Sequence, residues 1–179
     1  MLRRVLRGDA AAIGLFPNTV RAFLISLIPL LLLPLMLGLA TVFSGKVTRG
    51  LTDILAAICA LLVPALVSHA LARQWGQEAR WLRFIIGFNW CQLALSVLGI
   101  VMLMVLGIVG EGPGSSNGIV AILVLVSLGV MGYGLWLPWF VARHGLGVSG
   151  PRAVLLVAAI YAGTLAVLMT RGMLSMEHG

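Results

Sequence analysis

The chain has 179 residues, 61% of them hydrophobic and only 9% charged, with a mean hydropathy of +1.12. Soluble domains run nearer ~45–50% and ~25%, so composition excludes an ordinary soluble domain and points to an integral membrane protein. The formal charge of +7 does not signal nucleic acid, because the positive residues sit at the ends of apolar runs and no nucleic-acid motif accompanies them.

Residues 1–21 form a basic, amphipathic N-terminal segment. MLRRVLRGDAAAIGLF carries the charges of a signal peptide, but Arg3, Arg4, Arg7 and Asp9 interrupt any apolar core, so no cleaved signal is expected. Leu2, Val5, Leu6, Ile13, Leu15 and Phe16 suit a short interfacial helix on the anionic cytoplasmic face, with the arginines at the headgroups. A basic tail that only fixes orientation fits equally. Pro17 and Asn18 end the segment, and Asn18 is a candidate cap for the first long helix.

The first predicted span covers residues 22–43 between Arg21 and Lys46. Pro29 and Pro34 interrupt its hydrogen-bond ladder and predict a kink, an ordinary feature of membrane helices. SGKVTRG reads as a loop before a second span at 51–72, with Thr52 as its cap and Asp53 in its first turn, facing the positive end of the helix dipole. Pro64 is a further kink site, and Ser68 and His69 lie near the end of the span. RQWGQEARWLR, residues 73–83, reads as the main polar connection, with Trp75 and Trp81 as interfacial anchors beside Arg80 and Arg83.

The third span, 84–109, lies in a stretch of 27 residues without a charge, longer than the ~20 that a bilayer requires. Asn89, Gln92, Ser96 and Gly99 share one helical face. With the hydrocarbon beginning near Phe84, Gln92 lies about 12 Å deep, where an unbonded amide is costly. The stripe has two readings. It lines a small polar cavity with His69, Trp90, Arg143 and His144 at its mouth, or it bonds neighbouring helices, and the second is favoured.

GEGPGSSNG, with four glycines and a proline, cannot hold a membrane helix and marks a clear break. The fourth span, 119–142, offers Gly129, Gly132 and Gly134 for close helix packing and closes on WLPWFVAR, where Trp136, Trp139 and Arg143 mark an interface. HGLGVSG is a tight turn, and Pro151 suits the first position of the fifth span, 151–170, in which Ala159 and Gly163 form a small-xxx-small pair. Residues 172–179 are a short tail. Cys59 and Cys91 sit in apolar runs without a CxxC or a histidine cluster, as small hydrophobes rather than a disulfide or metal site. His69 likewise has no second ligand at metal spacing.

Counting positives sets the topology. Arg3, Arg4, Arg7, Arg21, Arg73, Arg80, Arg83, Arg143 and Arg152 fall on one side, and Lys46, Arg49 and Arg171 on the other. The expectation is an all-α bundle of five transmembrane helices, N-terminus in and C-terminus out, in a bacterial inner membrane.

Two stretches, RWLRFIIGFNWCQ and WFVARHGLGVSG, set within five spans behind a basic N-terminus, resemble small bacterial membrane proteins grouped with the Yip (Ypt-interacting protein) domain family. The resemblance implies a cytosolic N-terminus and five spans. Eukaryotic members act in vesicle traffic and membrane shaping through protein partners, but this chain lacks the long N-terminal region through which they engage small GTPases.

No acidic residue falls in the middle of a span, which argues against an ion- or proton-coupled pump. No nucleophile–base, zinc or P-loop pattern is present, so no enzyme activity, cofactor or metal is expected. The expected function is non-enzymatic: an accessory subunit of a larger membrane complex, or a membrane organiser, acting through lateral helix and lipid contacts. Its partners would be membrane lipids and other subunits or a second copy of itself. The alternative is a small carrier or channel, alone or as a homo-oligomer, lined by the Asn89–Gln92–Ser96 stripe. A third candidate is lipid-headgroup recognition by Arg80, Arg83 and Arg143 with Trp75, Trp81 and Trp139.

Overall fold

The computed structural model describes residues 2–110 and 117–177, and every described element is helical. A one-turn helix α1 (Leu2–Leu6) and a 3-10 helix (Ala10–Leu15) precede five long helices. These are α2 (Val20–Phe43), α3 (Val47–Gln74), α4 (Glu78–Gly110), α5 (Asn117–Leu146) and α6 (Gly150–Glu177). All five are long and apolar enough to cross a membrane.

The helices run past the apolar runs, because polar end residues continue the backbone ladder. The 44–50 loop shrinks to Ser44–Lys46, and Thr52 is no cap: it lies inside α3, its hydroxyl donating to the Thr48 carbonyl at 2.9 Å. The 73–83 connection shrinks to Trp75–Gln77, so Arg80 and Arg83 belong to α4. Both turns close alike. Gly45 (φ 84°) and Gly76 (φ 67°) take the left-handed conformation. The following N–H then reaches back, Lys46 to the Thr41 carbonyl at 3.3 Å and Gln77 to that of Ala72 at 2.8 Å. Thr19, not Asn18, caps α2 by accepting from the Ala22 N–H at 3.3 Å. Asn18 instead donates to the Ala79 carbonyl, tying the start of α2 to that of α4. Pro151 is the second residue of α6, one place inside the expected start. The centre of the glycine-rich break, 111–116, lies outside the described residues, as do residues 178–179, while α6 takes in much of the expected tail.

Around the bundle the order is α2, α3, α6, α5, α4 and back to α2. The core sits at one end. There Phe84, Ile85, Ile86, Phe88 and Asn89 of α4 are buried on every side, so the first half of α4 is the central post. Leu137, Val141 and Leu146 of α5 surround it, with Leu156 and Ile160 of α6 and Ala65, Ser68 and Ala72 of α3.

The N-terminal segment belongs to this core. Val5, Ala12, Ile13 and Phe16 are buried, Phe16 lies against Gly87 of α4, and the Tyr133 hydroxyl of α5 donates to the Leu6 carbonyl at 2.6 Å. Asp9 shapes the segment by accepting from the Ala11 N–H and pairing with Arg4 at 2.8 Å. Its apolar face is therefore spent on protein, and only Leu15 (56% exposed) keeps the outward placement expected of an interfacial helix.

Away from this end the packing thins. α2 and α3 touch backbone to backbone at Gly38 and Gly50, and Gly163 of α6 seats the side chain of Val63 of α3. Ser96 to Gly107 of α4 and Ala121 to Gly132 of α5 are exposed except for single half-buried stripes, Gly99–Met102–Leu106 and Leu123–Ser127–Val130.

Candidate functional site

The polar stripe of α4 does not converge on one site. Asn89, 3% exposed, donates to Ser26 Oγ of α2 at 2.9 Å, and Ser26 donates in turn to its own helix at the Phe23 carbonyl, 2.7 Å away. A buried amide among apolar neighbours needs such a partner. Gln92 is half-buried. Ser96 is exposed, and a side chain at Gly99 would meet nothing within 4 Å. His69 lies away from this stripe, exposed and edge-on to the Trp81 ring at 4.6 Å. The stripe thus joins helices at Asn89 and ends at the surface. No sequence signal marks Ser26 as a partner, since it lies 63 residues from Asn89.

The basic and aromatic residues do gather. Trp81 wedges between α2 and α3, its Nε1 donating to the buried Ser68 hydroxyl at 2.9 Å and its ring 5.9 Å from Phe23. Trp139 donates to the Gly150 carbonyl at 3.3 Å and carries the Arg143 guanidinium over its ring at 5.4 Å. Trp75 carries Arg152, a residue the sequence did not single out, at 5.9 Å. The Arg80 guanidinium lies on Gly147 in the α5–α6 link. Arg83, one turn on, keeps its Nε buried without a hydrogen-bond partner. His144 bonds to the Phe140 carbonyl and packs at a 42° tilt against the Phe140 ring, one step of an aromatic series running back to Trp136 and Tyr133.

At the other end of the bundle, Arg171 of α6 binds Asp53 of α3 through Nε at 2.8 Å and a terminal nitrogen at 2.7 Å. Because α3 begins at Val47, Asp53 is its seventh residue and lies past the first turn, so it serves as an inter-helix partner rather than in the dipole role expected of it. Beside the pair a cleft of about 240 Å³ is lined by Thr52, Leu55, Ala56, Cys59, Val167 and Thr170. The Thr52 and Thr170 hydroxyls are bonded within their own helices, so the cleft offers mainly apolar surface. Among the candidate packing residues, Gly163 and the half-buried Ala159 face neighbours within the bundle. Gly129 and Gly132 are exposed and do not, while Gly134 is half-buried and its carbonyl accepts from the Tyr161 hydroxyl of α6 at 3.4 Å; a Cβ at any of the three would meet nothing within 4 Å.

Among the described residues no group of three or more His, Cys, Asp or Glu side chains could hold a metal ion, and both cysteines are free. Comparison with protein-family models, characterised proteins and solved structures finds no match for the chain.

Proposed function

We propose that the chain is a multi-pass protein of a bacterial inner membrane, with its N-terminus inside and a Yip-like five-helix layout, working without catalysis as an accessory subunit of a larger membrane assembly. The observation carrying this is the uneven packing. From Ser96 to Gly107 of α4 and from Ala121 to Gly132 of α5 most side chains are exposed, among them Met104 and Leu125 (63% and 68% exposed), and Gly129 and Gly132 of α5 stand open. Small residues on an open apolar helix let a partner helix approach closely. A carrier would instead need a continuous polar path, and Asn89 is already committed to Ser26.

The test is a photo-crosslinking residue at Leu125 or Met104 in cells, followed by gentle extraction and mass spectrometry of the adduct. A discrete adduct to another polypeptide, recovered in constant ratio, is expected. A chain that purifies alone, with adducts only to lipid, would overturn the accessory role and return attention to a carrier.

A further inference from the structure

The arginines at the compact end are of two kinds. Arg3, Arg7 and Arg21 stand exposed on the N-terminal segment and α2. Arg80, Arg143 and Arg152 are exposed too, but each lies against a neighbour near the link between α5 and α6: Arg80 on Gly147, Arg143 by the Trp139 that bonds Gly150, and Arg152 by Trp75. Among the described residues no carboxylate lies within ion-pair distance of these three or of Arg83, whereas Arg4 and Arg73 have Asp9 and Glu78.

A guanidinium held over an aromatic ring by its charge still has N–H donors free for an acceptor. Having lost rotamer freedom already, it gives up less on binding. Several fixed cations gathered without a counter-charge repel one another, and a multiply charged anion relieves that repulsion. One turn along α4 from Arg80, the buried, unbonded Nε of Arg83 is a donor still lacking an acceptor. Past Arg152, Val154 and Leu155 continue α6 as exposed apolar surface (57% and 53%), so any anion held here has a surface for acyl chains beside it.

We propose that Arg80, Arg143 and Arg152, steadied by Gly147, Trp139 and Trp75, form a seat for the phosphate headgroup of an anionic phospholipid. The phosphate oxygens accept from the three guanidinium edges while the acyl chains lie along α6. The seat rests on reading the chain as a membrane protein.

The experiment is native mass spectrometry of the full chain released from nanodiscs of equal parts phosphatidylglycerol and phosphatidylcholine. The wild-type chain is expected to retain phosphatidylglycerol over phosphatidylcholine by about tenfold or more, the size of effect one charge-assisted hydrogen bond produces. The triple variant Arg80→Gln, Arg143→Gln, Arg152→Gln should lose that preference. The comparison variant Arg3→Gln, Arg7→Gln, Arg21→Gln should keep it. Should the triple variant lose helicity, Arg143→Gln and Arg152→Gln alone carry the test, each expected to reduce retention severalfold. Equal loss in both triple variants, or no preference in the wild type, overturns the seat in favour of diffuse attraction. Displacement of the lipid by inorganic phosphate alone overturns the lipid assignment and leaves a free-phosphate site. Recovery of the chain from the soluble fraction of cells would refute the membrane reading itself, a result separable from a membrane-bound chain with no lipid preference.

Discussion

Gly50 and Gly129 look alike in the sequence, each a glycine beside an apolar run, yet their surroundings are opposite. A Cβ on Gly50 would lie 2.7 Å from the Gly38 carbonyl oxygen and 2.8 Å from the Val42 nitrogen, backbone atoms that cannot swing aside, while one on Gly129 would meet nothing within 4 Å. Gly50→Ala should therefore destabilise the fold by about 1–3 kcal/mol, as overpacking does. Gly129→Ala should be neutral or stabilise by up to ~1 kcal/mol, from helix propensity alone. Unfolding in mixed micelles would measure both, and equal effects would contradict the α2–α3 contact. The Asn89–Ser26 hydrogen bond is the second residue-level case. A double-mutant cycle with Asn89→Leu and Ser26→Ala should give a coupling of about 0.6 kcal/mol, the usual value for such bonds between membrane helices. A coupling of zero would mean that the two side chains do not meet.

Among the elements, the N-terminal segment departs most from what its sequence suggests. Phe16 is 4% exposed and Leu15 56%, although they are neighbours of similar polarity. Phe16→Ala should cost about 3 kcal/mol, the low end for a buried phenylalanine, and Leu15→Ala less than ~0.5 kcal/mol. The same unfolding assay compares them, and similar losses would place the segment outside the core. The five long helices were legible because a run of apolar residues is a local property, carried by the window that shows it. Their ends were less so. Arg49, Arg73 and Arg83 read as loop because they are charged, but a helix whose end reaches water accommodates charge without breaking, and these two connections turn at Gly45 and Gly76. Partners were not legible at all. Whether Phe16 meets lipid or Gly87, and whether Asn89 meets water or Ser26, depends on chain more than sixty residues away.

At the scale of the whole molecule, charge and packing coincide. The starts of α2, α4 and α6 and the ends of α3 and α5 share the compact end, and with them come nine arginines, Arg3, Arg4, Arg7, Arg21, Arg73, Arg80, Arg83, Arg143 and Arg152. Lys46, Arg49 and Arg171 lie toward the other. If that end faces the cytoplasm, a reporter active only outside the inner membrane should be active when fused at the C-terminus and silent at the N-terminus. The opposite pattern would invert the topology. The burial of the N-terminal segment also has a consequence for how the protein is made. Tyr133 and the Leu6 carbonyl it binds are 127 residues apart in the chain. At ~5–20 residues per second, translation needs on the order of 10 s to deliver the tyrosine after the leucine. Throughout that interval Val5, Ile13 and Phe16 have no α5 to pack against. In the membrane role proposed above, the nearest apolar medium would be the lipid surface, and the amphipathic pattern of those residues would then hold the segment there until the fourth long helix arrives.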